Sequence, residues 1–176
     1  MYATTSFTES TECTFNYIVS SYTPTISTLL GDISVPTNSF KMMVVIQPDT
    51  PGQKALPFTR DELQKIEDHV GNDDYLIKIV RGSVQEVLSH LPVASIAHFA
   101  CHGQQNTQSP LESALLLQDG PLKVSHIMQQ SIPNASLAFL SACETAMGED
   151  NLPDEVIHLG ATLLFVGFRG VIATMW

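Results

Sequence analysis

Ile96-Ala97-His98-Phe99-Ala100-Cys101-His102-Gly103 is a short, largely apolar run that closes on a histidine and a glycine. A run of this length with such a boundary predicts a buried strand over Ile96–Cys101. A second run, Leu137-Ala138-Phe139-Leu140-Ser141-Ala142-Cys143, predicts another over Leu137–Ala142 and closes on a cysteine. A histidine and a cysteine released at the ends of two strands of one sheet are placed to meet. A thiol beside an imidazole is a nucleophile with its base.

Working outward, strand and helix signals alternate. Met42–Ile46 is an apolar run stopped by Gln47-Pro48, and Thr59-Arg60-Asp61-Glu62 has the pattern of a capping box opening a helix toward Val70. Tyr75–Val80 reads as the next strand, and Ser83 with Glu86 repeats the capping pattern before a helix ending near Leu91-Pro92. Asp119-Gly120 between the apolar flanks Ala114–Leu117 and Leu122 predicts a β-hairpin. A short helix over Val124–Gln130, a helix from about Asp154 to Phe168 and a strand over Val171–Met175 complete the series. Earlier in the chain, Tyr17–Val19 suits a short strand, Thr23-Pro24 opens a small helix through Leu30, and residues 1–14 read as a disordered Ser/Thr-rich terminus. Parallel neighbours require crossovers and helices supply them, so the expected fold is α/β, a mostly parallel sheet with helices on both faces. The last strand ends at Trp176 with nothing to cover its far edge, so the domain, residues 15–176, is expected to be truncated there.

The chain has 176 residues, 44% of them hydrophobic and 15% charged, enough for one globular core. Eighteen acidic against eight basic residues give a net charge of -10, which disfavours nucleic acid and anionic membrane as partners. Three cysteines form no evident disulfide framework, no apolar run approaches the ~20 residues of a membrane span, and the first basic residue is Lys41. A soluble, cytoplasmic protein is expected.

In an open parallel sheet the functional crevice lies beyond the carboxyl ends of the strands, where His102 and Cys143 are both expected. Alternation points His98, Ala100 and His102 one way and Phe99 and Cys101 the other, so Cys101 is a poor partner for its neighbour. Gly103 would let the chain turn sharply and would offer an unobstructed amide to an oxyanion, with the Cys143 amide as a second donor. Cys13 and Cys101 suit structural roles and His98 a packed core role, while His69, His90, His126 and His158 fall on expected helices. The set His98, Cys101, His102 and Cys143 has enough soft atoms for zinc, but alternation separates it and no Cys-x-x-Cys pair exists, so no metal is expected. Phosphate-binding glycine motifs and a Gly-x-Ser-x-Gly elbow are absent from the sequence, and no cofactor is expected.

Taken together, Ala97-His98-Phe99-Ala100-Cys101-His102-Gly103, Ser113-Ala114-Leu115-Leu116-Leu117, Leu140-Ser141-Ala142-Cys143-Glu144-Thr145-Ala146, Leu152-Pro153-Asp154-Glu155-Val156-Ile157-His158-Leu159 and the final Gly167–Trp176 segment resemble the CHAT domain, a caspase-like cysteine peptidase family, and most resemble its fungal branch. The resemblance runs from about Tyr17 to the last residue. It implies a caspase-like sheet, His102 as the catalytic histidine, Cys143 as the nucleophile, and Gly103 in the oxyanion region. It implies further that Ser141, two residues before the nucleophile, lines the substrate pocket. That side chain is neutral, so an acidic pocket would need Glu112, Asp119 or Glu144. The family's domain continues into a further strand and helix, and it often follows tetratricopeptide or other helical repeats that sense a partner. Gly160 stands where a helix-favouring alanine is expected. Two functions follow: a cysteine endopeptidase acting on protein or peptide substrates, or a catalytically degenerate module that regulates by protein–protein interaction.

Overall fold

A computed structural model of the chain describes residues 40–71, 73–106, 108–142 and 157–173. The expected strand at Tyr17–Val19, the helix through Leu30 and the terminus over residues 1–14 lie outside the described residues. A five-stranded sheet runs in the order β2-β1-β3-β7-β8, built from β1 (Met42–Ile46), β2 (Leu76–Val80), β3 (Ile96–Ala100), β7 (Leu137–Leu140) and β8 (Gly170–Ala173). Every pairing in it is parallel. A smaller antiparallel sheet contains β4 (His102–Gln104), β5 (Ala114–Leu116) and β6 (Pro121–Lys123). The helices are α1 (Phe58–Val70), α2 (Val84–His90), α3 (Val124–Ile127) and α4 (Ile157–Phe165).

Chain order dictates which face each helix covers. The step from β1 to β2 runs one way across the sheet, and the later steps to β3, β7 and β8 run the other way. Right-handed crossovers then put α1 on one face and α2, α3 and α4 on the opposite face. Burial agrees. Val44, Ile46 and Ala100 pack under Leu63 and Ile66 of α1. On the other side Met43, Val45, Phe99 and Cys101 join Val87 of α2, Ile127 of α3 and Leu159 and Leu163 of α4 in the main core. Alternation along β3 is as expected: Ala100 faces α1, and Phe99 and Cys101 face the main core.

Local signals hold where a side chain is free to cap. Ser83 Oγ accepts from the Glu86 amide at 3.1 Å, and Asp119 Oδ1 accepts from the Val84 amide at 2.8 Å, so α2 starts with two satisfied donors. The Asp-Gly hairpin forms, closed by Leu117 N–H donating to Gly120 O at 3.0 Å. Helix α4 ends in a Schellman turn, with Phe168 N bonded to Leu163 O, Gly167 N bonded to Leu164 O, and Gly167 at φ +124°.

Four expectations are corrected. The box at Thr59–Glu62 does not form: α1 begins earlier, at Phe58, and Thr59 Oγ1 donates to Leu56 O at 2.8 Å. Glu62 is thereby free of the cap and turns to the sheet. Strand β2 begins at Leu76, because Asp73–Tyr75 form a 3-10 turn. Strand β3 ends at Ala100, the bend falls at Cys101, and His102 is the first residue of β4, paired with Leu116. Gly103 does not turn the chain but sits extended in β4 opposite Leu115, outside the positive-φ region.

Candidate active site

The sheet reverses its winding direction between β1 and β3, because the chain leaves β1 toward β2 and later enters β3 on the other side. In open α/β sheets ligands bind at such a switch point, beyond the carboxyl ends of the strands. His102 stands there, only 4% exposed. Its Nε2 lies 2.6 Å from the backbone carbonyl of Lys54, in the loop after β1. A carbonyl only accepts, so Nε2 carries the proton and Nδ1 is left as the basic nitrogen.

Backbone bonds hold that loop. Gln47 N donates to Ala100 O at 2.9 Å, Gln53 N to Thr50 O at 3.0 Å and Leu56 N to Pro48 O at 2.7 Å. Gly52 at φ +76° permits the turn between Thr50 and Gln53. Gln47 is fully buried, and its Nε2 donates to Asp49 O at 3.1 Å and to Gln118 Oε1 at 2.9 Å, tying the loop to the hairpin. The Lys54 carbonyl is thus presented by a braced turn.

On the next strand, Ser141 N donates to Phe99 O at 2.8 Å and continues the ladder beyond the last pair, Phe99 with Leu140. Ser141 Oγ donates to Glu62 Oε2 at 3.2 Å. The other carboxylate oxygen, Oε1, lies 3.0 Å from His98 Nε2, yet that buried nitrogen has no well-aligned hydrogen bond, so the contact is one of proximity and charge. His98 is 5% exposed and stacks on Phe139 with centroids 4.9 Å apart. Burial alone would raise the Glu62 carboxyl, but His98, Ser141 and the charge of Lys65 together hold it below its ordinary value. This Glu62 link was invisible in the sequence, where the residue reads as the end of a capping box. The signal available was its place on α1 one turn before Ile66, on the face that covers the sheet.

The remaining expected residues divide clearly. Cys101 is buried in the main core, and burial pushes its thiol up to about 12, so it is inert packing as expected. Glu112 pairs with Lys123, and Asp119 caps α2. His98 is packed as expected, but it also faces a carboxylate. His69 Nδ1 lies 2.7 Å from Lys65 O within α1, and His90 ends α2. Cys13, Cys143, Glu144 and the His158 side chain lie outside the described residues. Among the described residues no three His, Cys, Asp or Glu side chains gather in a way that could hold a metal ion, and no helix is long and apolar enough to cross a membrane.

The family model of the CHAT domain matches residues 8–176. The chain belongs to the CHAT domain family. The α/β fold with its mostly parallel sheet agrees with that caspase-like family, and the motif reading of the CHAT domain stands. No curated protein matches the chain. Within this CHAT domain, the described part of the candidate site is His102 on its Lys54 carbonyl together with Ser141 on Glu62.

Proposed function

We propose that this CHAT domain is a cysteine endopeptidase with Cys143 as nucleophile and His102 as its base. The observation that carries this is one of register. Strands β3 and β7 are neighbours whose ladder pairs Phe99 with Leu140, and His102 and Cys143 each follow by three residues. Two residues of chain span at most ~7 Å, which bounds the distance of Cys143 from Ser141. Nδ1 of His102 takes the thiol proton, the thiolate attacks a peptide carbonyl, and the imidazolium returns the proton to the departing amine. Water then hydrolyses the thioester. The amides of Gly103 and Cys143 are the proposed oxyanion donors. The proposed enzyme works in the reducing cytoplasm and takes protein or peptide substrates, with a helical-repeat partner as its regulator.

Incubation of the chain, alone and with such a partner, against a diverse peptide library tests this. Cleavage abolished by Cys143→Ala and by His102→Ala, with unchanged circular dichroism, is the expected result. A well-folded chain that cleaves nothing and whose Cys143 takes no thiol-directed peptide probe supports the regulatory module instead.

A further inference from the structure

We propose that Glu62 is the receptor for a cationic side chain, arginine or lysine, of the bound peptide. This rests on the peptidase reading for the direction from which the peptide arrives, but the recognition site itself is made only of Glu62, Ser141 and His98.

The carboxylate offers what a cation needs. Its side chain is 30% exposed, so it is reachable, while the neighbouring His98 side chain is only 7% exposed and brings Nε2 within 3.0 Å of Oε1. Its two oxygens have about four lone-pair positions between them. One faces Ser141 Oγ, a neutral hydroxyl, and another faces a His98 nitrogen that makes no well-aligned hydrogen bond. Neither neighbour is a permanent cation. Both oxygens therefore keep acceptor capacity for the parallel N–H groups of a guanidinium, or for an ammonium as a point charge. Lys65, one turn along α1, is exposed, and its charge is the smallest of the influences that hold the Glu62 carboxyl down.

Among the described residues, three other carboxylates already have partners: Asp49 with Arg81, Glu112 with Lys123 and Asp119 with the Val84 amide. The position is also right for substrate reading. Ser141, whose Oγ donates to Glu62, precedes the proposed nucleophile Cys143 by only two residues of chain. A net charge of -10 draws cationic peptides toward the molecule as a whole.

The test is binding of acetylated tripeptide amides ending in arginine, lysine or the neutral isostere citrulline, measured by calorimetry on the full chain carrying C143A so that no turnover occurs. The expected result is binding of the arginine or lysine peptide at least about tenfold tighter than the citrulline peptide. The arginine and lysine arms tell a fork from a point charge. The preference should shrink as salt rises, vanish in C143A/E62Q and partly return in C143A/E62D. Equal affinity for arginine, lysine and citrulline, no measurable binding, or a preference that survives E62Q overturns the proposal. Should E62Q fail to fold, the comparison with citrulline and the salt series on C143A alone still decide. Failure of the peptidase reading is seen separately, as an unactivated Cys143 thiol in the otherwise unaltered chain.

Discussion

His102 turns Nε2 onto the carbonyl oxygen of Lys54, 2.6 Å away, and this single contact settles which ring nitrogen is left for chemistry. The acceptor is main chain, so the Lys54 side chain, which is exposed, has no part in it. Lys54→Ala should change stability by no more than about 0.5 kcal/mol and leave thiol reactivity as it was. Nitrogen NMR of the labelled imidazole should report a proton on Nε2. A ring protonated on Nδ1 alone would remove the orienting role of the loop.

Cys101 makes a different prediction. Its folded thiol is pushed up to about 12 by burial, against 9.0 ordinarily, so between those values the unfolded chain has lost a proton that the folded chain keeps. Stability is therefore expected to fall as pH rises across that window, and Cys101→Ala should flatten the fall. Denaturant melts at several alkaline pH values check it. Cys101→Ser, which buries a hydroxyl among apolar side chains, should cost about 1–3 kcal/mol at neutral pH.

Glu62 acts at the other end of the pH scale. Its folded carboxyl is held below the ordinary 4.5, so its stabilising contribution is present above that value and is lost as pH falls through the lower, folded one. Acid titration of the melting temperature should show a steeper loss for the native chain than for Glu62→Gln. Coincident acid limbs would mean that the His98 and Ser141 contacts contribute nothing.

Two glycines should respond in opposite senses to alanine. A Cβ at Gly160 in α4 would meet only Val171 Cγ1 at 3.6 Å, an ordinary contact, so Gly160→Ala should stabilise by about 0.5–1 kcal/mol. A Cβ at Gly82 would fall 2.0 Å from Ile79 Cγ2, so Gly82→Ala should destabilise by about 1–3 kcal/mol. Denaturant midpoints measure both.

Much of this architecture is legible in the sequence because the signals concerned are short and local. Ser83 reads as a cap and is one, Asp119-Gly120 reads as a turn and is one, and Met42–Ile46 is a strand with the bounds its apolar run predicts. The failures come where a tertiary partner outbids a local one. Thr59 and Glu62 have the spacing of a capping box, but Glu62 meets His98 and Ser141 on the sheet and Thr59 bonds backward to Leu56. Gly103 was expected to turn because glycine can, but pairing with Leu115 keeps it extended. The Lys54 carbonyl had no sequence signal at all, since any residue carries one and only the closed loop aims it.

The most direct measurement is the rate of alkylation of each cysteine by limiting iodoacetamide, followed by peptide mass spectrometry across pH in the native chain and in His102→Ala. Cys143 should label first, with an apparent pKa below the ~8.5 of a free thiol, and His102→Ala should slow it by about tenfold or more near neutral pH. Cys101 should stay unmodified in the folded protein. Labelling of Cys13 ahead of Cys143, or a Cys143 rate indifferent to the loss of His102, would contradict the pairing on which the account depends.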